Sequence, residues 1–209
     1  MAADRFFDDH QRATVEAAMA RIIPTDDTPG AREADTITFL DTYLAGLGRI
    51  FAKPDGTGFE DLSGRRAEAW QRRLDRVRAV YVAGIADLDA RSRSAGGADF
   101  VDLEPDRQDT ILGQIDPNAR PEGEGREAAP LQQTKAEIDL DFFPLLCLHT
   151  RQGFYSDPIY GGNKDRVGWD TIGFPGPASL AEVHSGRYST LARFAERQPR
   201  DEEETERGA

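Results

Sequence analysis

The sequence predicts a mainly α protein, an irregular helical bundle that carries a long ordered coil, rich in aromatics and glycine, near its C-terminus. Three observations predict it. From Ser63 to about Arg93, Trp70, Leu74, Val77, Tyr81, Ile85 and Leu88 recur at steps of three and four, one face of a long helix. No segment alternates apolar and polar residues as a half-buried strand would. Finally, "GFYSDPIYGGNKDRVGWDTIGFPG", Gly153 to Gly176, holds six glycines, two prolines and five of the chain's eighteen aromatics. A flexible linker would lack the aromatics, and a core strand would not tolerate the breakers.

The elements follow in order. A first helix is expected from about Asp8 to Ile23, with Asp8 as N-cap, Gln11 completing a capping box and Pro24 ending it. Val15, Met19, Ile22 and Ile23 share its apolar face. After the turn-rich "PTDDTPGAREAD", a second helix is expected from about Arg32 to Leu47, buried through Ile37, Leu40, Leu44 and Leu47. "AKPDGTGFEDLSG" reads as a loop, followed by the long helix, which "SAGGAD" ends. Pro105 opens a short helix to about Ile115. "DPNARPEGEGREAAP" reads as a mobile surface loop. A fifth helix is expected from Gln132 to His149, with Ile138, Phe142, Leu145, Leu146 and His149 inward and a kink or break at Pro144. A last helix is expected near Tyr188 to Glu196. We read residues 1–196 as one helical domain and 197–209, "RQPRDEEETERGA" from Arg197, as a disordered acidic tail.

Composition narrows the chemistry. With 38 acidic against 26 basic residues the net charge is −12, which disfavours nucleic acid or an anionic membrane face as the main partner. The lone Cys147 cannot form an internal disulfide, a four-cysteine metal site or a c-type haem attachment. There is no GxGxxG after a strand, no Walker A motif, no GxSxG elbow and no HExxH. Cys147 and His149 are two apart and point to different helical faces, so they do not form a catalytic pair. We read Cys147 as a small buried apolar residue and His149 as a core histidine with one hydrogen bond. Asp26 and Asp27, beside Thr25, Thr28 and Pro29, read as turn chemistry, as does Asp157 before Pro158. A stand-alone sugar enzyme would need His149, Asp157 and Asn163 to converge on an open pocket. A general helical scaffold or chaperone is the third reading.

Two stretches carry a resemblance. "RIIPTDDTPGAREADTITFLDTYLAG", Arg21 to Gly46, and "TRQGFYSDPIYGGNKDRVGWDTIGFPG", Thr150 to Gly176, together resemble the gluconate 2-dehydrogenase subunit 3 family, over about residues 6–176. The resemblance implies a small (gamma), non-catalytic subunit with no cofactor of its own. Its implied partner is an FAD-dependent large subunit of the glucose–methanol–choline (GMC) type, with a cytochrome or other electron acceptor in many complexes. The small subunit's implied work is to support the folding, stability and export of the large one. The start of the chain as written shows no basic n-region, apolar h-region or twin-arginine pair, so the expected location is cytoplasmic, or periplasmic when carried by a partner. For docking that partner we single out Tyr155, Asp157, Tyr160, Gly161, Gly162, Asn163 and Trp169. Tyrosine and tryptophan offer large contact area with a polar tip, and positive φ at Gly161 and Gly162 would present Tyr160 and Asn163 at a tight bend. The alternative is a coil that covers the bundle's own core.

Overall fold

The computed structural model of the protein describes residues 5–117, 136–177 and 180–186. The described chain is mainly helical, and its only β pairing is a single bridge between Ala52 and Phe59. Helix α1 (Asp9–Ile22) starts at the expected capping box: Asp8 accepts from the Gln11 N–H at 2.8 Å, and the Gln11 side chain accepts from the Asp8 N–H. Helix α2 (Thr36–Ala45) is shorter than expected, because Arg32–Asp35 form turns and Asp35 takes a left-handed conformation. Helix α3 (Gly64–Gly96) follows Ser63 and stops at Gly97, whose φ of 74° suits glycine at a helix C-terminus. Helix α4 (Pro105–Ile115) has the expected bounds, with Pro105 in the turn where its missing N–H costs nothing.

Helix α5 (Phe142–Tyr155) departs from expectation at both ends. It begins at Phe142, not Gln132, so Pro144 falls in the first turn. There an N–H has no intrahelical acceptor, and the helix needs neither kink nor break. Ile138, expected to face inward, sits in a single 3-10 turn (Glu137–Asp139) and is exposed. The helix then runs through Gly153 to Tyr155, residues expected to be coil. The segment after it is not one continuous coil either: 3-10 turns at Pro158–Tyr160 and Lys164–Arg166 lead into helix α6 (Val167–Thr171). Helix α7 (Leu180–His184) is the last described element. The expected loop over 118–130, the helix near 188–196 and the tail 197–209 lie outside the described residues.

Helices α1, α2, α3 and α5 enclose one core of Val15, Met19, Ile37, Leu40, Leu44, Leu74, Val77, Tyr81, Ile85, Leu88, Leu145 and Leu146. The α3 stripe is buried as its spacing predicts, except for Trp70, which is half-exposed at the helix's outer end. Arg78 of α3 donates to the Leu44 carbonyl at the C-terminus of α2 through Nε at 2.8 Å, placing a cation where the helix dipole favours one. Asp41 of α2 is buried; it accepts from the Phe6 and Phe7 N–H groups at 2.8 and 3.0 Å and pairs with Arg12 at 2.9 Å. These bonds tie the N-terminal segment and α1 to α2. Helix α3 crosses α5 at Gly84, where any side chain would overlap the Phe142 ring.

Candidate functional site

The second signature stretch folds back over the C-terminal end of α5. Added carbons at Gly162 and Gly168 would collide with the carbonyls of Gly153 and Phe154, so the backbones touch where side chains would separate them. Asn163 is fully buried in this contact: its Nδ2 donates to the Ser156 carbonyl at 2.9 Å and its Oδ1 accepts from the Gly168 N–H at 2.9 Å. Trp169 is buried as well, and its Nε1–H donates to the Tyr155 carbonyl at 2.8 Å. Asp157 caps the next turn by accepting from the Ile159 N–H at 3.0 Å. Gly161 has the expected positive φ, 102°, but Gly162 does not; Gly162 is needed for space rather than for conformation. The Lys164 N–H donates to the Ala34 carbonyl at 3.0 Å, so the two signature stretches meet in space. In the first of them, Asp26 accepts from the Thr28 N–H at 2.8 Å, which is turn chemistry rather than an acid–base pair. Of the seven residues singled out for docking, Asn163 and Trp169 are therefore turned inward as the covering-coil alternative has it, while Tyr155 is exposed and Tyr160 half-buried.

Tyr155 and Tyr160 open onto a groove of about 540 Å³ that sequence spacing did not reveal. Phe39 and Tyr43 come from α2, Arg49 and Ile50 from the turn after it, Trp70 from α3, and Leu148, Arg151, Gln152 and Tyr155 from one face of α5, with Ser156 and Tyr160 beyond. The groove is wide open to solvent and mostly apolar. Its wall is braced by rings and cations. Phe51 meets Trp70 edge-on at 5.4 Å, Arg66 lies 4.2 Å over Phe51, and Arg73 lies 4.6 Å over Trp70. The Tyr160 hydroxyl accepts from the Ala52 N–H at 3.2 Å and its ring meets Phe59 at 5.7 Å, which pins the loop after α2 to the second signature stretch.

A model of the family described as gluconate 2-dehydrogenase subunit 3 matches residues 9–176. The chain belongs to that family. No curated protein and no solved structure matches it. The match spans every lining residue of the groove and both signature stretches, so the groove lies wholly within the subunit 3 homology region.

Behind the groove, this subunit 3 chain holds a closed polar cluster. Tyr43 donates its hydroxyl proton to Glu137 Oε1 at 2.9 Å, His149 Nε2 lies 2.9 Å from the same oxygen, and Arg73 pairs with Glu137 Oε2. His149 Nδ1 lies 2.9 Å from the Tyr81 hydroxyl. Burial, and then the positive charge of Arg73, lower the His149 pKa to about 3. The ring is thus neutral: its Nε2–H donates to Glu137 and its Nδ1 accepts the Tyr81 proton, so both nitrogens are used. His149 makes two hydrogen bonds where one was expected. It is fully buried, and so is Tyr81. The cluster fixes the Tyr43 ring in the groove wall and exposes no proton to it. None of His149, Asp157 and Asn163 lines the groove, and each is held by different partners: His149 by Tyr81 and Glu137, Asp157 by the Ile159 N–H, Asn163 by the Ser156 carbonyl and the Gly168 N–H. Cys147, expected to be buried, is half-buried, and burial raises its thiol pKa, away from the reactive thiolate. Among the described residues no cluster of three or more His, Cys, Asp or Glu could hold a metal ion, and no helix is long and apolar enough to cross a membrane.

Proposed function

We propose that this chain is the non-catalytic small (gamma) subunit that binds and stabilises an FAD-dependent GMC-type sugar or polyol dehydrogenase large subunit, aiding its maturation or export. The observation that carries this reading is the subunit 3 family match from residue 9 to residue 176, because it contains the whole groove. The groove supports it further: tryptophan, tyrosine and arginine side chains around an apolar floor are the composition of interface centres. Docking falls to Tyr155 and Tyr160. Asp157, Gly161, Gly162, Asn163 and Trp169 serve it indirectly, by holding the backbone on which those tyrosines stand. FAD belongs to the large subunit, which passes electrons to a cytochrome or another acceptor, and the pair forms a hetero-oligomer whose location is set by the partner.

The test is co-expression. The large subunit from the same host is produced with and without this chain, and soluble yield, flavin absorbance and co-purification are measured. The expected result is a complex of fixed stoichiometry, with flavin-loaded large subunit recovered in higher yield when this chain is present. Equal yield and flavin content without it, together with no co-purification, would overturn the reading.

A further inference from the structure

Resting on the accessory-subunit reading, we infer that the groove receives a segment of the large subunit that combines an apolar anchor with neighbouring carboxylates. The floor calls for the anchor. Leu148 and Trp70 lie there half-buried, and Tyr155 stands 41% exposed at its edge, large apolar surface that water meets poorly. The rim calls for the carboxylates. Arg49 and Arg151 are exposed on the groove, and among the described residues neither meets a carboxylate: Arg49 lies over the Phe59 ring at 5.6 Å, and Arg151 donates to the Cys147 carbonyl of its own helix at 3.2 Å. Arg12, Arg21 and Arg73, by comparison, sit against carboxylates. Two cations beside one apolar floor, with no described carboxylate against either, put positive charge on the groove's rim in a molecule of net charge −12. Such a patch selects an acidic occupant and steers its approach.

The experiment uses the full chain, the purified large subunit, and overlapping synthetic peptides tiling that subunit. Binding is read by fluorescence anisotropy at several salt concentrations. The expected result is that peptides pairing an apolar residue with Asp or Glu bind, that their affinity falls with added salt, and that Arg49→Glu with Arg151→Glu weakens both peptide and large subunit at least about tenfold, about 1.4 kcal/mol. Both side chains are exposed, so the double variant should fold; circular dichroism checks this, and either single reversal replaces it if it does not. If the large subunit binds the reversed variant as well as the wild type, the groove is not its socket, although the accessory role stands. If the large subunit does not bind the wild type at all, the accessory role fails and this inference with it. If sedimentation shows that wild type self-associates and the reversed variant does not, the occupant is a second copy and the inference is overturned.

Discussion

His149 and His10 act on opposite sides of neutral pH. His149 has a folded pKa of about 3 against an ordinary 6.5, so between those values the unfolded chain takes up a proton that the fold refuses. Stability should therefore fall as pH drops from about 6.5 towards about 3. His10 behaves the other way. Its Nε2 lies 2.7 Å from Asp89 Oδ2, a hydrogen bond that raises its pKa above 6.5, with the charges of Asp89, Asp99 and Asp8 adding to it. That contribution is fully present below 6.5 and is lost as pH rises through the raised folded value. We expect thermal midpoints measured across pH to peak near this crossover, and His10→Gln to flatten the alkaline side while leaving the acid side in place. His149→Leu should do more harm at neutral pH, because it strands the Tyr81 hydroxyl and removes a donor from Glu137, and it should flatten the acid side, because leucine takes up no proton. A buried polar group left unpaired costs about 1–3 kcal/mol. Chemical denaturation at neutral pH reads that loss.

Helix α3 and the second signature stretch respond differently to truncation. Leu74 is fully buried, and Leu74→Ala should cost about 2–5 kcal/mol in a urea titration. Gly162→Ala should destabilise as well, since its new carbon would meet the Gly153 carbonyl and lift the stretch from α5. The first effect was legible in the sequence; for the second the sequence marked Gly162 on the ground of positive φ, and the ground is space instead. Helices α1, α3 and α4 could be placed closely because each starts or ends on a local signal: the Asp8–Gln11 box, Gly97, Pro105. Helix α5 was misplaced for two local reasons. Ile138 matched a helical spacing without belonging to the helix, and Pro144 read as an interior breaker when it stands in the first turn. Gly153 looked like a breaker too, yet it lies inside α5, at the point where a side chain would strike Thr36 of α2. Whether a glycine breaks a helix or lets two helices touch depends on a neighbour distant in sequence. The same holds for the groove. Its aromatics come from α2, α3, α5 and the 3-10 turn Pro158–Tyr160, and Trp70 read as one more core residue of its stripe. Only Tyr155 and Tyr160 were flagged, because they sit in a stretch whose composition is itself unusual.

At the scale of the whole molecule, the groove and the covering stretch are neighbours with separable roles, and linkage can tell them apart. A partner that binds only the folded chain raises its stability by RT ln(1 + [L]/Kd), about 2.7 kcal/mol at a hundredfold excess over Kd. Mixing with the large subunit should therefore raise the small subunit's thermal midpoint. Tyr155 is 41% exposed and belongs to the groove, so Tyr155→Ala should leave the midpoint of the isolated chain nearly unchanged and shrink the increment gained on mixing. Trp169 is 5% exposed and hydrogen-bonded to the Tyr155 carbonyl, so Trp169→Ala should cost the isolated chain about 3–5 kcal/mol of stability and lower its midpoint accordingly. It should alter the increment only through the shift of Tyr155 that follows when that carbonyl loses its donor. The discriminating quantity is the difference between free and mixed midpoints, measured for both variants at one concentration of large subunit. If Trp169→Ala abolishes the increment while keeping the isolated midpoint, the tryptophan leaves its buried site to meet the partner, and the division between a docking groove and a covering stretch is wrong. If Tyr155→Ala keeps the full increment, the partner grips another face of the bundle.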